Sequence, residues 1–189
     1  MPLVGSFAGA SARAYGLGAG GVAIGDFESI ASTTVGTATP TVTFSSIPQT
    51  YKHLQIRVST RNTAAAGDSF CLITLNSIAT RTHFLYGTGS GTGTGANPNS
   101  IFGPVGWGTN NSWNSANFSA NIVDILDYTD TNKFKTVRNL YGTDGNGVGI
   151  VGMTSGYAAT TGAINSVVLT SQGTNFAVNS TFYLYGINA

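Results

Sequence analysis

The clearest pattern in the chain is strict alternation. Over residues 52–60, Leu54, Ile56 and Val58 share one face, and Gln55, Arg57 and Ser59 share the other. A period of two marks a strand with one face on a core. Residues 133–141 alternate likewise, with Phe134, Thr136, Arg138 and Leu140 opposite Lys133, Lys135, Val137 and Tyr141. A shorter alternation, Thr41-Val42-Thr43-Phe44, stops near Ile47-Pro48. Residues 27–35, 69–75, 81–86, 164–170 and 176–187 are β-prone without so clean a period. Residues 118–128 form the most apolar run, with Ile122, Val123, Ile125 and Leu126 close together. That density predicts a strand covered on both faces, as at the centre of a sandwich. Residues 148–153 form a short run broken by glycine, and Pro104 places a short strand over 100–107 at a sheet edge.

Turn and loop signals separate these runs. Residues 87–100 are low-complexity Gly, Thr, Ser and Asn, which predicts a long loop. Residues 108–112 form a turn cluster. Asp124 and Asp127 would point to opposite faces of a strand, and Asp127 to Asp130 begin a turn in which Asp bonds its own backbone. The sum is roughly nine or ten strands and no helix. Glu occurs once, at Glu28, and Lys three times, so solvent-side helix formers are almost absent. There is no internal repeat. The expected fold is all-β, a jelly-roll-like antiparallel β-sandwich over residues 26–189.

Residues 1–25 read differently. They hold seven glycines and six alanines, with neither helical nor strand periodicity. Gly16, Gly18 and Gly21 match the spacing of a dinucleotide fingerprint, but no strand precedes them, so no nucleotide site is expected. Apolar residues gain little in a solvated tail. The segment therefore reads as a glycine-rich N-terminal arm, either flexible, since glycine carries a large ordering cost, or an anchor ordered by a partner. Leu3, Val4, Phe7, Arg13 and Tyr15 would order against a partner protein, since segments of this kind fold on binding.

Composition narrows the function. The chain is 41% hydrophobic with 20 aromatic residues, which suits a folded core. Only 8% is charged, against about 25% in ordinary soluble domains. Net charge is +1 with no basic stripe, so nucleic acid is not an expected partner. No run of about 18 apolar residues suggests membrane insertion, and the N-terminus lacks the basic region of a secretory signal. Cys71 is the single cysteine and sits in an apolar run, where it reads as a buried small hydrophobe.

Catalytic chemistry needs convergent acids, bases or metals. His53 and His83 have no second ligand at metal spacing, and no nucleophile elbow is present. Asp127, Asp130, Asn132, Asp144 and Asn146 offer oxygen ligands without the linear calcium-loop pattern. No catalytic residues, metal or cofactor are expected, and the chain reads as a non-enzyme. Trp107, Trp113 and Tyr157 are candidate ligand contacts on loops, and Tyr86 would join them in a stacking platform for a sugar. Residues 97–113 and 144–161 are the candidate tip loops.

Four stretches carry a resemblance. They are residues 4–16 (Val-Gly-Ser-Phe-Ala-Gly-Ala-Ser-Ala-Arg-Ala-Tyr-Gly), residues 44–54 (Phe-Ser-Ser-Ile-Pro-Gln-Thr-Tyr-Lys-His-Leu), Lys133-Phe134-Lys135-Thr136, and the segment from Ile164-Asn165-Ser166-Val167 to Phe182-Tyr183-Leu184-Tyr185-Gly186-Ile187. In this order they resemble a group of small virion proteins of tailed phages, cyanophages above all. The resemblance implies a non-enzymatic virion structural protein, oligomeric and with a trimer as the working expectation. Its partners would be other virion proteins of the tail, baseplate or capsid. A tail-fibre or appendage component that docks through its arm and touches a host surface glycan is the first expectation. A capsid decoration protein and a free carbohydrate-binding module are the alternatives.

Overall fold

The computed structural model describes residues 27–65, 70–88, 91–97, 103–144 and 149–188. These residues contain twelve strands and no helix: β1 (Phe27–Thr34), β2 (Thr41–Phe44), β3 (His53–Thr60), β4 (Phe70–Leu75), β5 (Ile78–Thr88), β6 (Gly91–Asn97), β7 (Gly103–Trp107), β8 (Ser119–Leu126), β9 (Lys135–Asp144), β10 (Gly149–Ala158), β11 (Val167–Ser171) and β12 (Thr181–Ile187). The expected all-β sandwich is present. Hydrogen bonding follows the order β1-β12-β3-β8-β9-β10-β5-β4-β11-β2, with β6 beside β5 and β7 beside β4. Every strand pair is antiparallel.

The pairing is nested in the jelly-roll manner. β1 lies on β12, β2 on β11, β4 on β11 and β5 on β10, so early strands pair with late ones. β5 joins the two layers. Its first residues pair with β4, through Leu75↔Ile78, and its remainder pairs with β10 from Thr80 to Thr88. One layer contributes Leu54, Ile56, Val58, Val123, Ile125, Phe182 and Leu184 to the core, and the other contributes Val42, Phe44, Ile73, Leu75, Val167 and Leu169. All are buried. Phe176 meets Phe182 edge-on, with ring centroids 4.9 Å apart. Tyr51 closes one side of the core, its ring filling the space a Cβ on Gly186 would need.

β3 alternates as its sequence requires, with Leu54, Ile56, Val58 and Thr60 buried. β9 likewise turns Val137 and Tyr141 inward. Four expectations need correction. There are twelve strands, more than the nine or ten read from the sequence. The Gly/Thr stretch read as a long loop holds the end of β5 and all of β6, paired from Thr82↔Asn97 to Thr88↔Gly91. Backbone ladders need no side-chain period, so a Gly/Thr strand leaves no pattern to read. The segment 144–161 is chiefly β10, a ten-residue strand between β9 and β5, not a tip loop. Its glycines fit close neighbours rather than a break: the Tyr141 ring lies against Gly152, and the Arg81 backbone lies against Gly156. Finally, β8 is covered on one face only, with Ile122 open on the other.

Candidate functional site

The lower halves of β8, β9 and β10 fix which side chains face inward. Val123, Ile125, Val137 and Ala158 are fully buried. Because side chains alternate along a strand, every second residue from these positions must also face in. That rule carries Asn121, Asn139 and Thr154 inward and Ile122, Leu140 and Met153 outward. At this end of the sheet the usual arrangement is therefore inverted. Polar side chains are buried and aliphatic ones face out.

The outward residues are in register. Ile122 pairs with Leu140, Leu140 with Met153, and Met153 with Leu85, giving one aliphatic row across β8, β9, β10 and β5. Exposure is 41% for Ile122, 54% for Leu140, 48% for Met153 and 48% for Leu85. Val151, two residues along β10, is 61% exposed and extends the patch. A shallow depression of about 300 Å³ lies between Leu85, Gly87, Leu140, Val151 and Met153. Contiguous exposed apolar surface of this kind marks an interaction face, unlike a scattered exposed Leu.

The inner side of the same patch is under-satisfied. Asn121 Oδ1, both amide atoms of Asn139, Thr143 Oγ1 and Thr154 Oγ1 are buried without a hydrogen-bond partner. Each such group costs stability. A one-residue slip would exchange the two faces. The β8–β9 hairpin blocks that slip. Asp127, at φ 48°, starts its turn, and its carbonyl accepts the Asp130 N–H at 3.0 Å. Asp127 also binds Lys52 Nζ at 3.1 Å and Lys133 Nζ at 2.5 Å. Hydrogen bonds from these two ammonium groups hold its carboxyl down at about 2. Its N–H donates to His53 Nδ1 at 2.9 Å. Lys135, fully buried, donates from Nζ to the carbonyls of Asp130, Lys133 and Thr161. Burial lowers its pKa. The oxygen atoms weighed as calcium ligands are thus partly engaged by lysines. Among the described residues no group of three or more His, Cys, Asp or Glu is placed to hold a metal.

Polar and aromatic residues border the patch. Arg138 Nη2 meets Asp124 Oδ2 at 3.1 Å, Gln55 Nε2 donates to Asp124 Oδ1 at 2.9 Å, and Arg57 Nε donates to Gln55 Oε1 at 2.9 Å. The Arg57 guanidinium also lies 5.5 Å from the Phe27 ring centroid and 5.1 Å from that of Tyr185. This rim is the part of the face where charge is neutralised by near neighbours.

The sequence candidates are dispersed. Leu3, Val4, Phe7, Arg13 and Tyr15 lie outside the described residues. Trp107 ends β7, in register with Phe70 of β4. Trp113 sits half-buried in the β7–β8 connection, its N–H bonded to the Asn110 carbonyl at 3.2 Å and its own carbonyl to Arg61 at 3.3 Å. Tyr157 is on the outer face of β10, parallel to the Phe134 ring at 5.7 Å. Tyr86 belongs to the opposite face of the sheet, so it and Tyr157 do not share a platform. Cys71 is buried, and burial pushes its thiol up to about 12. The aliphatic row was missed because its residues come from four strands. Its signal was the adjacency of a polar and an aliphatic residue at Asn121-Ile122, Asn139-Leu140 and, in the reverse order, Met153-Thr154. Comparison of the chain with protein-family models, with curated proteins and with solved structures gives no match.

Proposed function

We propose that the chain is a non-enzymatic structural component of a tailed-phage virion, a tail-associated appendage that works as part of an assembly. The observation that carries this reading is the inverted outer face of β8, β9, β10 and β5. Five aliphatic side chains in one patch are left to water by the single chain, over an inner layer in which Asn121 Oδ1, the Asn139 amide and the Thr143 and Thr154 hydroxyls have no partner. A protein that works alone gains nothing from that arrangement, whereas one that is covered by a neighbour recovers the burial. The low charge, 8% of the chain, supports the same reading, because charge is depleted at interface cores. The four stretches that resemble tailed-phage virion proteins supply the kind of assembly. The arm of residues 1–25 serves as the anchor to the tail.

Immunogold labelling of purified particles tests the reading. Signal at the tail supports it. Signal spread over the head replaces it with capsid decoration, and particles without signal contradict both. A second reading, a carbohydrate-binding module, rests on the parallel pair Phe134 and Tyr157, both partly exposed. A sugar stacks on such a surface. Glycan binding that is lost in Tyr157→Ala would favour it.

A further inference from the structure

We infer that the outer face of β8, β9, β10 and β5 is the contact surface for a second copy of this same chain. This inference rests on the assembly reading above and names the surface and its occupant. The face is largely self-complementary. Four rows cross the four strands in the order β8, β9, β10, β5. They are Ala120–Gly142–Val151–Gly87, Ile122–Leu140–Met153–Leu85, Asp124–Arg138–Ser155–His83 and Leu126–Thr136–Tyr157–Arg81. A two-fold axis parallel to the strands, between β9 and β10, lays each row against its own reverse. Symmetric dimers are built from one patch used twice in this way.

Three of the reversed rows match, and in the fourth Leu126 faces Arg81 while Thr136 faces Tyr157. In the aliphatic row, Ile122 meets Leu85 of the second copy and Leu140 meets its Met153. In the first row, Val151 faces Gly142, a projecting side chain against a position with no Cβ, and Ala120 faces Gly87. In the third row, the Asp124 carboxylate faces the His83 imidazole, and Arg138 faces the Ser155 hydroxyl. No like charges oppose each other in any row. A partner of different sequence would not require this match between the two halves of one surface.

The aliphatic patch supplies about half of the area that such a contact needs. The five half-exposed aliphatic side chains present roughly 400 Å², about the area of the largest patch on a typical monomer. A stable interface needs about 800 Å² from each partner, with an apolar centre and a polar rim. The aliphatic row supplies the centre, and the rows holding Asp124, Arg138, His83 and Tyr157 supply the rim. Two such sheets would stack about 10 Å apart, the ordinary spacing of a sandwich.

The test is the solution mass of the full chain by light scattering, for the native sequence and for Leu140→Asp and Met153→Asp. Both side chains are about half exposed, so the variants should keep their β-sheet circular dichroism and still unfold cooperatively, at a lower temperature once the second copy is lost. The native protein is expected to run at twice the mass of one chain, or at a higher multiple containing this contact. Each variant is expected to run smaller by a factor of two or more at the same concentration. A native protein that is monomeric at about 100 μM, or variants that keep the native mass, would overturn the inference. Particle incorporation is read separately. A monomer that still joins particles at the tail refutes the second copy while leaving the appendage reading intact. An oligomer found on no particle does the reverse.

Discussion

β3 and the β8–β9–β10 group belong to one sheet and obey opposite rules. On β3, Leu54, Ile56 and Val58 are buried, while Arg57 lies among aromatic rings and Gln55 on the outside. On the other three strands, beyond Val123 and Val137, the inward positions become Asn121, Asn139 and Thr154, and the outward ones become Ile122, Leu140 and Met153. The two regions share a backbone ladder and a register, so secondary structure does not explain the difference. The proposed assembly would explain it by what each outer face meets. β3 carries residues that suit water, whereas the inverted region carries residues that suit another surface.

Substitutions on the two regions should separate them. The largest effect belongs to the conventional core. Ile56→Ala removes a fully buried side chain and should lower stability by about 3 kcal/mol, measured by denaturant unfolding. In the inverted region the sign should change. Thr154→Val keeps the shape and deletes a buried hydroxyl with no partner, so stability should rise by about 1 kcal/mol. A loss of stability instead would mean that the hydroxyl is satisfied, and that the inner layer is better built than the comparison holds.

The hairpin that keeps the inversion in register should respond to acid. Asp127 titrates at about 2 in the fold, below the usual 3.8, so its contribution is complete above that value. It is lost as pH falls from about 4 through about 2, and Asp127→Asn should remove this part of the acid dependence. The melting temperature followed over that range checks it. The smallest effect on unfolding belongs to the outer row. Leu140→Ser should change single-chain stability by less than about 0.5 kcal/mol, because the side chain is already half in water. A cost as large as that of Ile56→Ala would show that the chain itself covers Leu140, and the comparison would collapse.

The sequence carried the fold wherever side chains alternate. Leu54, Ile56 and Val58 announced β3, Thr41 to Phe44 announced β2, and the near absence of Glu and Lys excluded helices. It concealed strands that carry no side-chain period. β6, with three glycines and two threonines in seven residues, is held only by its ladder to β5. β10 reads in the sequence as a short run over residues 148–153 broken by glycine, with Gly152 inside that run and Gly156 beyond it. They are strand residues whose missing Cβ makes room for Tyr141 and for the Arg81 backbone. The ion cluster was half legible. Asp127 was read as a turn former, but Lys52 reaches it from 75 positions away, a distance no local pattern spans. The aliphatic face was written in the sequence as an apolar run at Ile122, Val123, Ile125 and Leu126. Its density predicts cover on both faces, and the chain itself covers one. Periodicity reports that a face wants to be buried, and it does not report by which molecule.

The most direct test is a cryo-EM map of the assembled particle at side-chain resolution around β8, β9, β10 and β5. Protein density is expected to pack on Leu140 and Met153, with Ile122 of one copy opposite Leu85 of the next. Open solvent over those side chains in the assembled state would contradict it.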